Sequence, residues 1–465
     1  MLKREVQKGR AKMKKDVTIK EALFLLVVLL AMIGTLIIGF KLPAHVALLF
    51  ALAVVFLFAG YKKVSWKTIQ EGIQEGIIPG LVPIIIFILI GALISVWIAA
   101  GTIPTIMVYG FSVLSVQFFL PTVFLICGIV GATVGSSFTT ISTVGIAFLG
   151  MGQIMGLNPA ITTGAIVSGA FLGNSISPLS DTANLSAAIA EVDLFQHIKH
   201  EFWTVIPAAF LSLLGYTFLS FRATQTVAGD GIETISQTLH EFYTISPVTL
   251  LPVVVLFFAA WRKIPAIPTL LTSIVLSILV RYLYHPTTSL ASIGSWIQDG
   301  YISKTGVANV DLLLTRGGMQ SMMWSVSLIL LALSLGGLLV KLNIIETILA
   351  QVEELMQTKS RLILMTALSS IGINLLIGEQ YLSIILPGKA YKENYRKISL
   401  PDKYLSRTLS DAGATFNPLI PWGVSGVFIA GTLGISTLSY LPFAFFCYLV
   451  PLITIGAGFM KTKEN

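Results

Sequence analysis

The chain has 465 residues, 55% of them apolar and 11% charged, with a mean hydropathy of +0.86 and a net charge of +8. A soluble domain carries about 25% charged residues, so this chain cannot coat a water-facing surface, and its solvent over most of its area must be lipid. The positive excess does not mark a nucleic-acid binder: it lies in short segments beside apolar runs, where the positive-inside rule places it.

In chain order, residues 1–20 are a basic segment (Lys3, Arg4, Lys8, Arg10, Lys12, Lys14, Lys15 and Lys20) expected in the cytoplasm. Residues 21–76 hold the first transmembrane helices. Ala22–Phe40 carries no charge, is too long for a signal-peptide core and has no small-residue cleavage pattern after it, so it reads as a permanent helix. Lys62, Lys63 and Lys67 keep the loop after the second apolar run on the cytoplasmic side. Residues 77–222 read as a first inverted repeat, 223–320 as connecting helices with an external loop, and 321–460 as the second repeat. Within the connection, Ala223–Phe242 reads simply as a loop between helices and His285–Gln320 as the external link. Residues 461–465, with Lys461 and Lys463, return the C-terminus to the cytoplasm. Lipid cannot satisfy free backbone groups, so the apolar runs are helices, with roughly 11 to 13 crossings and an even number if both ends share a side. The expected fold is an all-α polytopic membrane protein with inverted-topology repeats, re-entrant hairpins and interrupted helices.

The repeat shows as matched segments about 240 residues apart. Phe87–Met107 pairs with Ile329–Leu349, Gly135–Ser142 with Gly378–Ile385, and Ser177-Pro178-Leu179 with Asn417-Pro418-Leu419. Lys389, Lys392, Arg396, Lys397, Lys403 and Arg407 crowd one loop of the second half, whereas the matching Met151–Pro159 has no charge. Equivalent loops with opposite bias lie on opposite sides of the membrane, and inverted repeats are a mark of transporters.

Four interrupted segments carry polar groups at membrane depth, where they are costly and functional. The first, Gly131–Thr143, holds Ser136, Ser137, Thr139 and Thr140; it reads either as a hairpin tip whose hydroxyls bind a cation or carboxylate, or as small-residue packing. The second, Gly173–Asn184, contains Pro178, which frees backbone carbonyls. Asp181 there offers a carboxylate that can take a proton or a sodium ion, among the neutral donors Asn174, Ser177, Ser180, Thr182 and Asn184, which suit a hard cation. Its bland alternative is a helix cap in a loop. Asp181, Ser137 and Thr140 are the candidate sodium ligands. The third is Gly378–Tyr381, with Glu379 and Gln380; Glu379 serves the site or closes a mouth. The fourth, Ser410–Trp422, contains Asp411, Thr415 and Asn417 as candidate ligands, with helix capping as the alternative for Asp411. Asp181 has no carboxylate counterpart, because Pro421 takes its place in the second half.

Cys127 and Cys447 lie in apolar runs and read as buried hydrophobes. His45, His240 and His285 sit singly near helix ends. No Walker loop, zinc spacing or hydrolase motif occurs, so no enzyme activity and no cofactor are expected, and transport is most simply driven by ion gradients.

At these motifs the chain resembles the NhaC-type sodium/proton antiporters, a family that includes malate/lactate antiporters, over nearly its whole length beyond residue 20. The likeness is densest in residues 131–152, 164–188, 193–200 (DLFQHIKH), 378–391 and 405–426. It implies a sodium-linked antiporter of a bacterial plasma membrane, with sodium and protons as coupling ions and an elevator movement of a core against a scaffold. Elevator-type relatives suggest a homodimer. The family usually reads Phe-Gly-Asp-Lys where this chain has Leu172-Gly173-Asn174-Ser175, and tends to read Pro-Trp-Asn-Thr where it has Pro421-Trp422-Gly423-Val424. Both departures are expected where substrate binds, which makes an organic carboxylate (malate or lactate) or an amino acid a rival to a small inorganic cation. A channel or a non-transporting sensor is the third, weaker reading. Membrane lipid is the expected surrounding partner.

Overall fold

The computed structural model describes residues 17–223, 230–353 and 356–460. Most of the basic N-terminus and the Lys461–Lys463 tail, on which the sidedness of the ends rests, fall outside them. Every regular element among the described residues is helical, with one isolated bridge between Tyr301 and Arg316. Among the described residues nine helices are long and apolar enough to cross a membrane, or up to twelve if each bent pair counts as one span. The expected 11 to 13 overlaps only the upper count, because several apolar runs are divided between shorter pieces.

Three helices open the described part of the chain: α1 (Ile19–Gly34), α2 (Ala44–Tyr61) and α3 (Trp66–Ile77). The first unit comprises α4 (Leu81–Ala99), α5 (Thr102–Val113), α6 (Phe119–Val134), α7 (Ser137–Ile154), α8 (Pro159–Ile176), α9 (Asp181–Ala190) and α10 (Leu194–Ala223). The connection comprises α11 (Asp230–Phe242), α12 (Leu251–Trp261), α13 (Ala266–Tyr284), α14 (Leu290–Asp299) and α15 (Ala308–Leu314). The second unit comprises α16 (Met319–Lys341), α17 (Ile344–Glu353), α18 (Lys359–Ile377), α19 (Gln380–Lys397), α20 (Asp402–Leu409), α21 (Val424–Leu433) and α22 (Phe445–Phe459).

The two units run through the same succession. A long helix (α4, α16) turns through a left-handed residue, Gly101 or Asn343, into a shorter one. A helical hairpin (α6–α7, α18–α19), a helix broken at proline (α8–α9, α20–α21) and a closing helix (α10, α22) follow.

The connection differs from its sequence reading. The expected loop Ala223–Phe242 contains α11, which bends by 89° into the segment Pro247–Trp261. Ile235, Thr238 and Leu239 are buried on one side of α11 while Glu233, Gln237 and His240 face out, so its low overall hydropathy conceals an amphipathic helix. His285–Gln320 likewise holds two short helices rather than an open link.

Close packing in the first unit depends on small residues, as in other membrane helices. A Cβ on Gly173 of α8 would stand 2.3 Å from the Gly128 carbonyl oxygen of α6. Trp97, fully buried on α4, donates from Nε1 to Ser273 Oγ of α13 at 3.1 Å, tying the unit to the connecting helices. Phe24, Val27, Leu57, Trp203, Phe210 and Leu283 are exposed on the outside, a surface suited to lipid and not to water.

Candidate functional site

The tips of the two hairpins are built alike. Helix α6 ends at Gly135 (φ +73°) and α18 at Gly378 (φ +74°), a conformation that glycine adopts without strain. The next residue caps the returning helix. Ser136 Oγ accepts from the Thr139 amide at 3.2 Å, and the Glu379 carboxylate accepts from the Leu382 amide at 2.8 Å. Each tip rests on the break of its own unit. A Cβ on Gly135 would lie 2.5 Å from Leu179 Cβ, and one on Gly378 would lie 2.9 Å from the Trp422 oxygen. Ser177 Oγ donates to the Ala132 oxygen at 2.7 Å, and Asn417 Nδ2 donates to the Gly378 oxygen at 3.1 Å. Ser177 and Asn417, paired by the sequence repeat, thus fasten a break to a tip in both units.

A cavity of about 490 Å³ opens between the first tip, the first break, the start of α19 and the connecting helices α12 and α13. Its polar lining is Ser136, Ser137, Thr139, Asn174, Asp181, Thr182, Asn184, Gln380 and Tyr381, with Lys263 and Thr269 on the opposite wall. Asp181 is the one carboxylate in this lining. It opens α9 directly after the cap Ser180, whose Oγ accepts from the Ala183 amide at 3.3 Å. A carboxylate there is favoured by the helix dipole. Its Oδ2 accepts from the Tyr381 phenol at 2.6 Å, a contact between the two units. Asn174 Nδ2 donates to Thr182 Oγ1 at 3.0 Å, and Thr182 Oγ1 lies 3.0 Å from Ser180 Oγ. The Pro178 and Ser180 carbonyls at the break accept from Asn184 Nδ2 at 3.1 and 2.7 Å. These two carbonyls, expected to offer themselves to a cation, therefore already hold Asn184 in place.

Other expected site residues lie elsewhere. Thr140 Oγ1 is buried and donates to the Ser136 oxygen at 2.9 Å, outside the cavity lining. Ser142 and Thr143 both donate to the Thr139 oxygen, so part of the dense hydroxyl run serves its own helix. Glu379 is buried as a cap beside the lining residues Gln380 and Tyr381. Asn417 also donates to Asn374 Oδ1 at 2.8 Å and accepts from the Ser425 amide at 2.8 Å. Of the two departures from the family pattern, Asn174 lines the cavity, whereas Gly423 packs at the second tip against Ile420 and Asn417. Thr415 Oγ1 is 3.3 Å from Ser175 Oγ, where the two broken helices meet.

Asp411 belongs to a second, closed cluster. It lies in a π-helical turn, Ser410–Ala414, that continues α20. Its Oδ2 accepts from Thr204 Oγ1 at 2.9 Å and from Thr454 Oγ1. Ser410 Oγ donates to Glu201 Oε1 at 2.7 Å, and Ser406 Oγ is 2.6 Å from His197 Nδ1. His197 Nε2 stands 3.1 Å from Glu201 Oε2 without the alignment of a hydrogen bond. Asp411 Oδ1, Glu201 Oε2, His197 Nε2, His200 Nε2 and Arg407 Nε are buried without a hydrogen-bond partner among the described residues. Each such atom costs about 1–3 kcal/mol.

Sequence reasoning passed over Tyr381 and Glu201. Tyr381 stands in the tip motif but its phenol was not assigned. The signal for Glu201 is its spacing from His197, one helical turn away, at the entry to the apolar run that begins at Phe202.

A profile of the Na+/H+ antiporter family matches residues 15–190 and 169–462. The chain is 41% identical over 448 residues to the Na(+)/H(+) antiporter NhaC of Alkalihalophilus pseudofirmus, covering 96% of this chain and 97% of that one. It is 34% identical over 435 residues to the arginine/ornithine antiporter ArcD of Halobacterium salinarum, covering 93% and 89%. It is 30% identical over 454 residues to the malate-2H(+)/Na(+)-lactate antiporter of Bacillus subtilis, covering 96% and 97%. With both units inside the matched regions and antiporters as its full-length relatives, this multi-pass membrane protein belongs to the Na+/H+ antiporter family, a family of transporters and not of enzymes.

Proposed function

We propose that this protein exchanges sodium for protons across the cell membrane, with Asp181 as the principal cation ligand. The observation that carries the reading is Asp181 itself, the one carboxylate lining a cavity otherwise walled by hydroxyls and amides. Oxygen donors of this kind suit a hard monovalent cation, and a carboxylate among them can hold either the cation or a proton. Ser137, Thr139, Thr182 and Gln380 complete the ligand set. The basic residues of 1–20 support a cytoplasmic N-terminus, and Lys461 and Lys463 a cytoplasmic C-terminus. The two units are inverted, and the hairpins and broken helices move as one core against α4, α12 and α13, carrying the cation in an elevator motion, in a homodimer embedded in lipid.

In everted vesicles, sodium added to the wild type dissipates a preformed pH gradient, and Asp181→Asn abolishes the response. A wild type without any sodium-dependent pH change sinks this reading.

One observation favours a second reading, exchange of an organic carboxylate or amino acid. The cavity, at about 490 Å³, is within the size range of small-molecule sites, and Lys263 on its wall supplies a charge that a carboxylate would meet. Thermal stability in the presence of malate, lactate, arginine or ornithine, with and without sodium, distinguishes the two, since a ligand stabilises the folded state only if it binds it.

A further inference from the structure

We propose that the buried cluster of His197, Glu201 and Asp411 is a second proton-binding site, separate from the cavity, whose proton leaves when a cation settles beside Asp181. This rests on the sodium/proton reading given above.

Charge balance is the first argument. His197, Glu201 and Asp411 are each 0% exposed. The buried cation nearest in sequence is Arg407, one helical turn before Asp411, whereas Lys199, between His197 and Glu201, is exposed. Two carboxylates against one guanidinium leave one negative charge in excess, which a buried setting penalises. One proton on the His197–Glu201 pair, whose Nε2 and Oε2 atoms are 3.1 Å apart, restores neutrality. The unpartnered Asp411 Oδ1, Glu201 Oε2 and His197 Nε2 supply acceptors for it.

The surroundings select a proton over a metal ion. Among the described residues, no three His, Cys, Asp or Glu side chains are grouped to hold a metal. Asp411 Oδ2 is already taken by Thr204 and Thr454. Cations collar Tyr404 beside the cluster: Lys359, Lys403 and Arg407 lie 4.9, 5.8 and 5.4 Å from its ring centroid. A sodium ion approaching there meets repulsion, whereas a proton can pass by exchange through His200, whose ring lies edge-on to Tyr404 at 4.6 Å. Apart from Lys359 of α18 and Lys403 of α20, which stand at Tyr404, the groups that neighbouring helices bring to the cluster are uncharged: α22 presents Thr454, α18 presents Asn374, whose amide donates to Gly413, and Tyr391 and Tyr395 of α19 are engaged by Ser369 and Thr366.

A continuous set of contacts joins the two sites. Ser410 donates its hydroxyl to Glu201, and its carbonyl oxygen accepts from Thr415 Oγ1 at 3.5 Å. Thr415 meets Ser175, and the adjacent Asn174 holds Thr182, the neighbour of Asp181. The Ser410 carbonyl cannot relay a proton, so this path transmits position and charge. The proton itself leaves from His197 or Glu201 to bulk water, and the arriving cation keeps the total charge of the core unchanged.

The test uses the purified full chain in weakly buffered detergent solution with a pH dye, pulsed with sodium chloride against choline chloride, alongside thermal stability in sodium. The wild type is stabilised by sodium and releases protons on binding it; Asp181→Asn loses both responses. Glu201→Gln keeps the sodium stabilisation but releases about one proton fewer per sodium bound. If Glu201→Gln releases as many protons as the wild type at every pH, the proposal is overturned while the sodium/proton reading stands. Should that variant not fold, Ser410→Ala, which removes only the hydroxyl donated to Glu201, moves the pH midpoint of proton release; an unmoved midpoint overturns the proposal. A wild type with no sodium response sinks both.

Discussion

Ser175 and Thr415 are counterparts in the two units, 240 positions apart, and they touch each other, hydroxyl to hydroxyl, at 3.3 Å. The two broken helices therefore touch at this position, from which Ser410 leads to the Asp411 cluster and Asn174 to the Asp181 cavity.

This contact makes the elevator reading testable. Ser175→Cys with Thr415→Cys is expected to form a disulfide under mild oxidation, and the native Cys127 and Cys447 are buried and do not compete. If both broken helices travel in one core, the cross-linked protein continues to exchange sodium for protons in proteoliposomes. Arrest by the cross-link, with recovery on reduction, would show instead that the helices move against each other.

Tyr381→Phe removes the phenol donated to Asp181 across the two units. The expected loss is about 1 kcal/mol, below the usual 1.5–3 for a hydrogen bond to a charged group, because Asp181 is open to solvent in the cavity. Thermal unfolding without sodium reports it. At saturating sodium the deficit shrinks, since the ion becomes the partner of the carboxylate in both proteins. An equal deficit with and without sodium counts against Asp181 as a ligand.

Two glycine substitutions separate close packing from helix propensity. Gly173→Ala drives a methyl against the Gly128 oxygen and is expected to destabilise by about 1–3 kcal/mol. Gly456, in α22, has no atom within 4 Å of an added Cβ, so Gly456→Ala is neutral or stabilising by up to about 1 kcal/mol. Melting temperatures of the two purified variants check the contrast.

Much of this was legible in the sequence, and the failures have physical causes. The hairpin tips, the breaks and Asp181 could be placed because glycine, proline and a carboxylate stand out in apolar surroundings. Asp411 resembled Asp181 in its local motif, but the π-helical turn at Ser410–Ala414 directs it toward α10 and α22, a rotation that no residue pattern announces. Glu201 follows the basic segment His197–His200 and so looked like part of a polar surface, although it is wholly buried. The helix Asp230–Phe242 was hidden by its polarity, since only one narrow side packs.

The connecting segment gives a prediction for pH. Asp311 accepts from Ser303 Oγ at 2.7 Å, from the Thr305 amide and hydroxyl at 2.7 and 2.9 Å and from the Gly306 amide at 3.0 Å. These donors, the Thr305 amide foremost, hold its carboxyl below the ordinary carboxylate range. A lowered folded-state pKa contributes stability above the unfolded value, about 3.9, and that contribution is lost as pH falls through the folded value. Hydrogen-exchange protection across residues 300–316, corrected for the intrinsic rate at each pH, is expected to fall below about pH 4. Asp311→Asn makes the segment faster to exchange at neutral pH and removes the acid dependence.

The bond between Tyr381 and Asp181 also bears on how the protein is made. Ribosomes deliver the whole first unit, Asp181 included, long before Tyr381 and Gln380 exist. During that interval the nascent membrane segment has its acid but lacks part of the wall that would enclose an ion. On the proposed reading of Asp181 as a cation ligand, sodium in the cell stabilises the finished protein but not this biosynthetic intermediate, which must rely on helix packing and lipid alone until the second hairpin is inserted.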